Sequence, residues 1–521
     1  MKVVAKRLGA RYIVEGSVRR EGDQVLVQAQ LIDAENDVSL WSERYDRKLN
    51  NVFELQSAIA LEIAHTLNAT ISREDRKKLD AVPIVVMEAY DNYVKARNLL
   101  TRGWTTYKRV MEALPLLEKA VEIDPDFVQG WALLSRTQTN RVERVREFDG
   151  RQDEVAEAER LSAEALEKAQ QLDPGNVETL KATGYYYYIV KEDKVKGLKS
   201  FDEALEIFPN DSETLAYQAM IYVYLGQFEP AIVNLERAYA IDNANGFIKY
   251  FLSLSFEVAH RYDQLVPLLK HFLENDPEAT HYNIQVKYYQ FLLDGSLESF
   301  QAFEQSVSTV ERTPRCDERT VQNNEMVVAM INNQFDLYAK AWMGKWDQHN
   351  KGHGNWSCPA QLNEEANHAH LLMQYGDSKK AEEIIVYAKN SSVRPINEKS
   401  LCIFNKDVLT PKLEFMSGDK QLARKEFDEV LPVVLKNRTF PRGVIERSVL
   451  LETADMVAPD YVYKLFKELS SEPTSLVSLE TVCANPWTFP NLIKDPSFIK
   501  EIRKDGRFVK FLEHYRFLGK A

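Results

Sequence analysis

The sequence predicts a mainly α fold: a solenoid of helical hairpins preceded by a small, incomplete α/β domain. Three observations carry this reading. Anchor residues recur at a period of 34 along the middle of the chain. The hydrophobic period changes near Asn50 from two residues to the 3.6 of a helix. The 521 residues are 45% apolar and 28% charged, with only 20 Gly and 19 Pro, which excludes collagenous, low-complexity and largely disordered chains. At about 150 residues per domain the length fits three or four domains.

Residues 1–79 are the α/β part. Tyr12, Val14, Gly16 and Val18 alternate with other side chains, as do Val25, Val27, Ala29 and Leu31. Glu21-Gly22-Asp23 between them has turn chemistry, so 11–33 reads as a β-hairpin. A third strand is expected at Val38–Tyr45. Val52, Leu55, Gln56, Ile59, Ile63, Ala64 and Leu67 then form a helical stripe, which predicts a helix over 51–72. The polar stretch before Pro83 is a boundary, and 80–111 reads as a linker and first helix.

Residues 112–280 hold the repeats. Ala113, Leu117, Ala120 and Pro125 define a spacing of four, three and five. It recurs as Ser162, Leu166, Ala169, Pro174, then Gly197, Phe201, Ala204, Pro209. Two further copies are Ala231, Leu235, Ala238, Asn243 and Leu265, Leu269, Phe272, Pro277. The closing residues lie 49, 35, 34 and 34 apart, the 49 containing a charged insertion around Arg141–Ala156. Six residues after a closing proline a large, small, aromatic series begins, as in Leu180, Gly184, Tyr187 and Leu215, Ala219, Tyr222. Small residues let paired helices approach closely, and the proline cannot continue its helix. This resembles the tetratricopeptide repeat.

Beyond 280 the pattern decays. Residues 281–485 read as degenerate helical repeats, with Tyr375-Gly376-Asp377 and Ser417-Gly418-Asp419 opening second helices. Residues 344–360 read as a loop. Residues 486–521 read as a capping segment with a helix over 498–515.

A second resemblance lies in Leu8-Gly9-Ala10-Arg11-Tyr12-Ile13-Val14-Glu15-Gly16-Ser17-Val18-Arg19-Arg20, Gln28–Ala34, Leu40–Arg47 and Val52–Gln56. These are similar to the later part of a TolB-like amino-terminal (FlgO-like) domain. In bacterial signalling proteins that domain commonly precedes tetratricopeptide repeats. It often follows a class III nucleotide cyclase or winged-helix DNA-binding domain. Asp505-Gly506-Arg507-Phe508 with Phe511-Leu512 is similar to the ending of such chains. The resemblance implies that an opening strand and helix are absent, along with an output domain. The chain then reads as a truncated product, a mis-assigned start or a split subunit. It also implies an unpaired sheet edge open to pairing in trans.

No nucleotide-binding loop, HExxH or GxSxG occurs, so no enzyme activity and no cofactor are expected. His260-Arg261-Tyr262-Asp263 looks like a kinase loop without its partner motifs and reads as part of a repeat. Asp242–Gly246 lacks the ligand spacing of a calcium loop. His349, His353, Cys358, His368 and His370 are the weak metal candidate, because imidazole and thiolate suit zinc. The other reading of that segment is a polar loop running into a helix. Cys316, Cys358, Cys402 and Cys483 form no CxxC and read as buried, reduced thiols.

What remains is surface. In the tetratricopeptide repeat the second, fifth, ninth and twelfth positions of the first helix line the concave side. Counted from Val128, Val177, Ser212 and Gly246, they give a groove that contains Arg136, Glu178, Lys181, Tyr185, Tyr188, Met220, Val223, Phe247, Tyr250 and Leu254. That aromatic and apolar set suits a peptide or protein segment with hydrophobic anchors. Two occupants fit it: a foreign chain, or this chain's own C-terminal half. The net charge of −12 argues against nucleic acid and anionic membranes as partners. No apolar run reaches the length of a membrane span, and MKVVAKRLGARY is no secretory signal. The expected compartment is the cytoplasm, or the periplasm if a membrane-spanning half is attached. The expected role is an interaction scaffold in signalling, or the regulatory fragment of a cyclase or winged-helix regulator.

Overall fold

The computed structural model describes residues 10–21, 24–48, 52–68, 86–100, 106–145, 152–313, 318–332, 382, 385–386, 406–436, 442–471, 477–484, 488–489 and 491–518. These fall into two compact units. The first draws on 1–142, 156–215 and 237–249, and the second on 143–155, 216–236 and 250–521. The architecture is mainly α, with tetratricopeptide-type helix pairs and one small sheet.

The first unit opens with strands β1 (Tyr12–Glu21), β2 (Gln24–Asp33) and β3 (Val38–Lys48). They form an antiparallel meander in the order β1-β2-β3, with Tyr12 opposite Asp33 and Val27 opposite Tyr45. A register shift at Leu31/Ile32 bends β2 against β3. Asp33 builds the next turn. Its Oδ1 accepts from the Glu35 N–H at 3.0 Å and the Asn36 N–H at 3.3 Å, and Asp37 then takes a φ of 60°. Helix α1 (Val52–Thr66) packs against β3 and contributes the buried Leu55. It is shorter than its stripe predicted, because Asn68 turns to a φ of 54° just beyond it.

Helices α2 (Met87–Leu100), α3 (Tyr107–Ile123), α4 (Val128–Val145), α5 (Gln152–Leu172), α6 (Val177–Ile189) and α7 (Lys194–Ile207) follow. Then come α8 (Ser212–Tyr224), α9 (Phe228–Ile241) and α10 (Gly246–Val258). The repeat anchors Ala113, Leu117, Ala120, Ser162, Leu166, Ala169, Phe201, Ala204, Ala231, Leu235 and Ala238 are all buried. Sequence spacing becomes packing most clearly at Gly184. A Cβ there would lie 2.7 Å from the ring of Phe201, which is fully buried and cannot move aside. Only a residue without a side chain lets α6 close on α7. The closing prolines also act as acceptors: the Trp131 indole N–H donates to the Pro125 carbonyl at 2.9 Å.

The second unit continues with α11 (Tyr262–Asn275), α12 (His281–Asp294), α13 (Leu297–Ser308) and α14 (Glu318–Ile331). Further on lie α15 (Lys406–Met416), α16 (Lys420–Lys436), α17 (Arg442–Val457), α18 (Val462–Ser470) and α19 (Leu479–Ala484). The Ser417-Gly418-Asp419 turn does join two helices, with Gly418 at a φ of 98° and Ala423 and Phe427 buried behind it. The hairpin anticipated at 375–388 and the loop at 344–360 lie outside the described residues, apart from single helical positions at 382 and 385–386.

The tail differs from its prediction. In place of one helix over 498–515 there are two, α20 (Pro496–Asp505) and α21 (Val509–His514). Gly506 breaks them by adopting a φ of 82°, and its N–H donates to the Ile502 carbonyl as a left-handed cap. The break turns Arg507 and Phe508 onto helices far upstream. Phe508 and Phe511 meet the ring of Phe291 at centroid distances of 5.6 and 4.8 Å, and Phe511 meets Phe300 at 5.0 Å. Arg507 donates to the Leu293 carbonyl at 3.2 Å and to Glu480 at 2.7 Å.

Candidate functional site

Three of the residues selected by repeat position meet in the first unit. Arg136 comes from α4, and Glu178 and Lys181 from the first turns of α6. The Asn176 side chain caps α6 by accepting from the Glu178 N–H at 3.0 Å, which sets where Glu178 starts. Arg136 Nη1 lies 3.3 Å from Glu178 Oε2, and Lys181 Nζ lies 3.2 Å from Glu178 Oε1.

The rest of this cluster comes from the following hairpin and was not anticipated. Glu213, in the first turn of α8, pairs with both Arg136 and Lys181. Asp211 lies 3.3 Å from Lys181 Nζ and accepts from the Thr214 N–H at 3.0 Å. The available signal was the acidic residue at the second helical position, Glu178 in one repeat and Glu213 in the next.

Electrostatics follow from this closure. Burial alone would lower the pKa of Lys181, but Glu213 and Glu178 outweigh it and hold the ammonium above its ordinary value. Burial alone would raise that of Glu213, but Arg136 and Lys181 hold it far below the usual carboxylate range. Tyr93 of α2 is pushed up to about 12 by burial and by the charge of Glu178. Lys181 and Glu213 are thus each held in the charged form by partners of opposite sign, within a cluster of two cations and three carboxylates.

The other selected positions divide by exposure. Tyr185, expected to face a groove, is buried, and its hydroxyl donates to Asn140 Oδ1 at 2.9 Å. Arg136 and Lys181 are buried as well. Glu178, Tyr188 and Phe247 are half-buried. In the second unit Met220 and Val223 are buried, Leu254 is half-buried and Tyr250 is 50% exposed, its ring edge against Phe251 at 5.3 Å. Position within the repeat thus picks helix faces but does not tell which side chains water can reach.

The remaining motifs resolve structurally. His260 takes a φ of 54° in the turn before α11, its Nδ1 2.9 Å from the Tyr262 hydroxyl. Arg261 pairs with Glu229 and Tyr262 is buried, so this tetrad forms a helix start. In the Asp242–Gly246 turn the Asn245 side chain bonds Asp242 and accepts from the Phe247 N–H at 3.0 Å, which starts α10. His349, His353, Cys358, His368 and His370 lie outside the described residues. Among the described residues no group of His, Cys, Asp and Glu could hold a metal ion. No described helix is long and apolar enough to cross a membrane.

Comparison with known proteins gives one sequence relative and several structural likenesses. The chain matches no family model. A 135-residue segment is 33% identical to "Putative adenylate cyclase 3" of Rhizobium meliloti (strain 1021). The match takes in 26% of this chain and 23% of that protein, so the chain spans under a quarter of that relative. Yeast Tom70 is 13% identical, with a TM-score of 0.39, over 77% of this chain and 94% of that one. "YrrB: a TPR protein with an unusual peptide-binding site" is 14% identical, with a TM-score of 0.30, over 40% and 96%. Pseudomonas aeruginosa pilF is 15% identical, with a TM-score of 0.31, over 43% and 90%.

Proposed function

We propose that the chain is a non-enzymatic interaction scaffold of bacterial signalling that binds a peptide or protein segment on the first helices of its repeats. One observation carries the reading: buried anchors repeat at a fixed period while Tyr188 and Phe247 in the first unit, and Tyr250 in the second, are each partly exposed on those helices. Partly exposed aromatic rings are suited to be hot spots for an extended or helical ligand. The mutual pairing of Arg136 and Lys181 with Glu178, Asp211 and Glu213 supports a structural role for the two cations. The domain reading stays with the proposal: a TolB-like (FlgO-like) part at 1–79, repeats at 112–280, degenerate repeats at 281–485 and a cap at 486–521. The scaffold works in the cytoplasm, which cell fractionation tests.

The experiment is affinity capture from source cells with the full chain beside Tyr188→Ala and Tyr250→Ala. A specific partner retained by wild type and weakened at least about tenfold by either variant, with helical content unchanged, is the expected result. Equal capture by all three refutes the assignment of the site.

The cyclase likeness favours a second reading, in which the chain regulates a nucleotide cyclase. Its test is whether the captured material converts ATP to cyclic AMP. Eluates without cyclase polypeptide or activity refute it. Among the described residues β1 has a strand neighbour on one side only, which adds pairing in trans through β1 to the proposal.

A further inference from the structure

We propose that β1 pairs with the β1 of a second copy of this chain, antiparallel and centred on Gly16, to make a continuous six-stranded sheet. The proposal deepens the trans-pairing reading by naming the partner.

Among the described residues β1 has a neighbour on one side only. It is ten residues long, regular in its pairing with β2, and contains neither proline nor lysine. Two of the devices that usually prevent strand addition, proline and lysine, are therefore missing, while Glu15, Arg19, Arg20 and Glu21 supply charge that a complementary strand must match. The Ala34 N–H donates to the Arg11 carbonyl, so odd-numbered residues bond toward β2. The N–H and C=O groups of Tyr12, Val14, Gly16 and Val18 consequently point outward.

The same even positions carry the apolar face. Val14 is 50% and Val18 70% exposed on the face they share with their β2 partners Leu31, which is buried, and Val27, while α1 packs at the β3 end of the sheet. With Gly16 on the two-fold axis, Val14 of each copy stands opposite Val18 of the other. Directly opposed β-branched pairs are the unit that stabilises a sheet. The odd face matches in charge. Arg11, which also pairs with Asp33 at 3.4 Å, falls opposite Glu21, and Arg19 falls diagonal to Glu15, which accepts from Gln30 at 2.9 Å. A strand of arbitrary sequence would not satisfy both faces at once, whereas this one complements itself.

The test is sedimentation equilibrium of the full chain over a wide concentration range, with no partner added, so failure of the peptide-binding reading does not affect it. Wild type is expected to dimerise reversibly. Val14→Lys with Val18→Lys places like charges at the seam and should raise the dimer dissociation constant by about two to three orders of magnitude. Both residues are exposed, so circular dichroism should be unchanged. Glu15→Arg should also favour monomer, and Glu15→Arg with Arg19→Glu should restore the dimer. A wild type that stays monomeric overturns the proposal. So does a dimer that survives the double lysine variant, or a monomer that instead takes up a foreign strand along β1.

Discussion

Replacing Glu213 with Gln tests whether the charge cluster holds successive hairpins together. Glu213 is bonded to Arg136 and Lys181, both buried, so the amide removes one carboxylate partner from each of two buried cations. Breaking a buried pair from one side costs about 3–5 kcal/mol. The Glu213 side chain is 39% exposed, and water recovers part of that, which reduces the expectation to about 2–3 kcal/mol. For a unit of this size the thermal midpoint should fall by roughly 4–12 °C. The comparison is Glu203→Gln, which breaks an exposed pair with Lys199 at 3.8 Å and should change stability by less than about 0.5 kcal/mol. The assay is thermal and urea unfolding followed by helical dichroism, with hydrogen exchange read on α4, α6 and α8. The loss should persist in concentrated salt, because screening acts weakly on buried charges. A Glu213→Gln protein that behaves like Glu203→Gln, or a loss that disappears in salt, would refute the reasoning.

Two further tests concern the second unit. Asp455 is buried and accepts from the Asn491 N–H at 3.0 Å and the Leu492 N–H at 2.6 Å, yet burial raises its pKa from 3.8 to about 6. The folded state therefore binds the proton more tightly. Stability falls as pH rises from about 4 to 6, by on the order of 3 kcal/mol, and then levels off. Asp455→Asn should flatten that part of the stability profile, and identical slopes would contradict the assignment. Gly295 and Gly506 both have positive φ, but a Cβ on Gly295 would come within 2.8 Å of the Arg507 backbone while Gly506 faces open space. Gly295→Ala should release the tail, seen as proteolysis at 496–518. Gly506→Ala should cost only about 1–2 kcal/mol of backbone strain and leave the tail docked.

The helices were legible because their signal is steric and local. A 34-residue period in small and bulky residues reports which side chains face which, and those anchors are buried. The sheet was legible through the alternation of Val25, Ala29 and Leu31. The candidate site was less so. Repeat position selected Arg136 and Lys181 as surface, but Asp211 and Glu213, more than 70 residues from Arg136, draw them under cover. Exposure is a property of such distant partners, and a single helix face does not encode it. Tyr185 shows the same effect: its partner Asn140 lies 45 residues away, so its replacement would report on folding before it reported on binding. The tail break was written locally as Asp505-Gly506, where the helical stripe outweighed the glycine in the reading.

The closure of Arg507, Phe508 and Phe511 onto α12 and α13 fixes an order of events during synthesis. Arg507 is separated from its acceptor Leu293 by 214 residues. At about 5–20 residues per second, the ribosome needs about 10–40 s to make that stretch. Throughout this interval Phe291 and Phe300 have left the tunnel without the rings that later cover them. The nascent chain therefore carries these two rings without their later partners until residues 507–511 are made, and a chain halted before Arg507 keeps them uncovered by the tail.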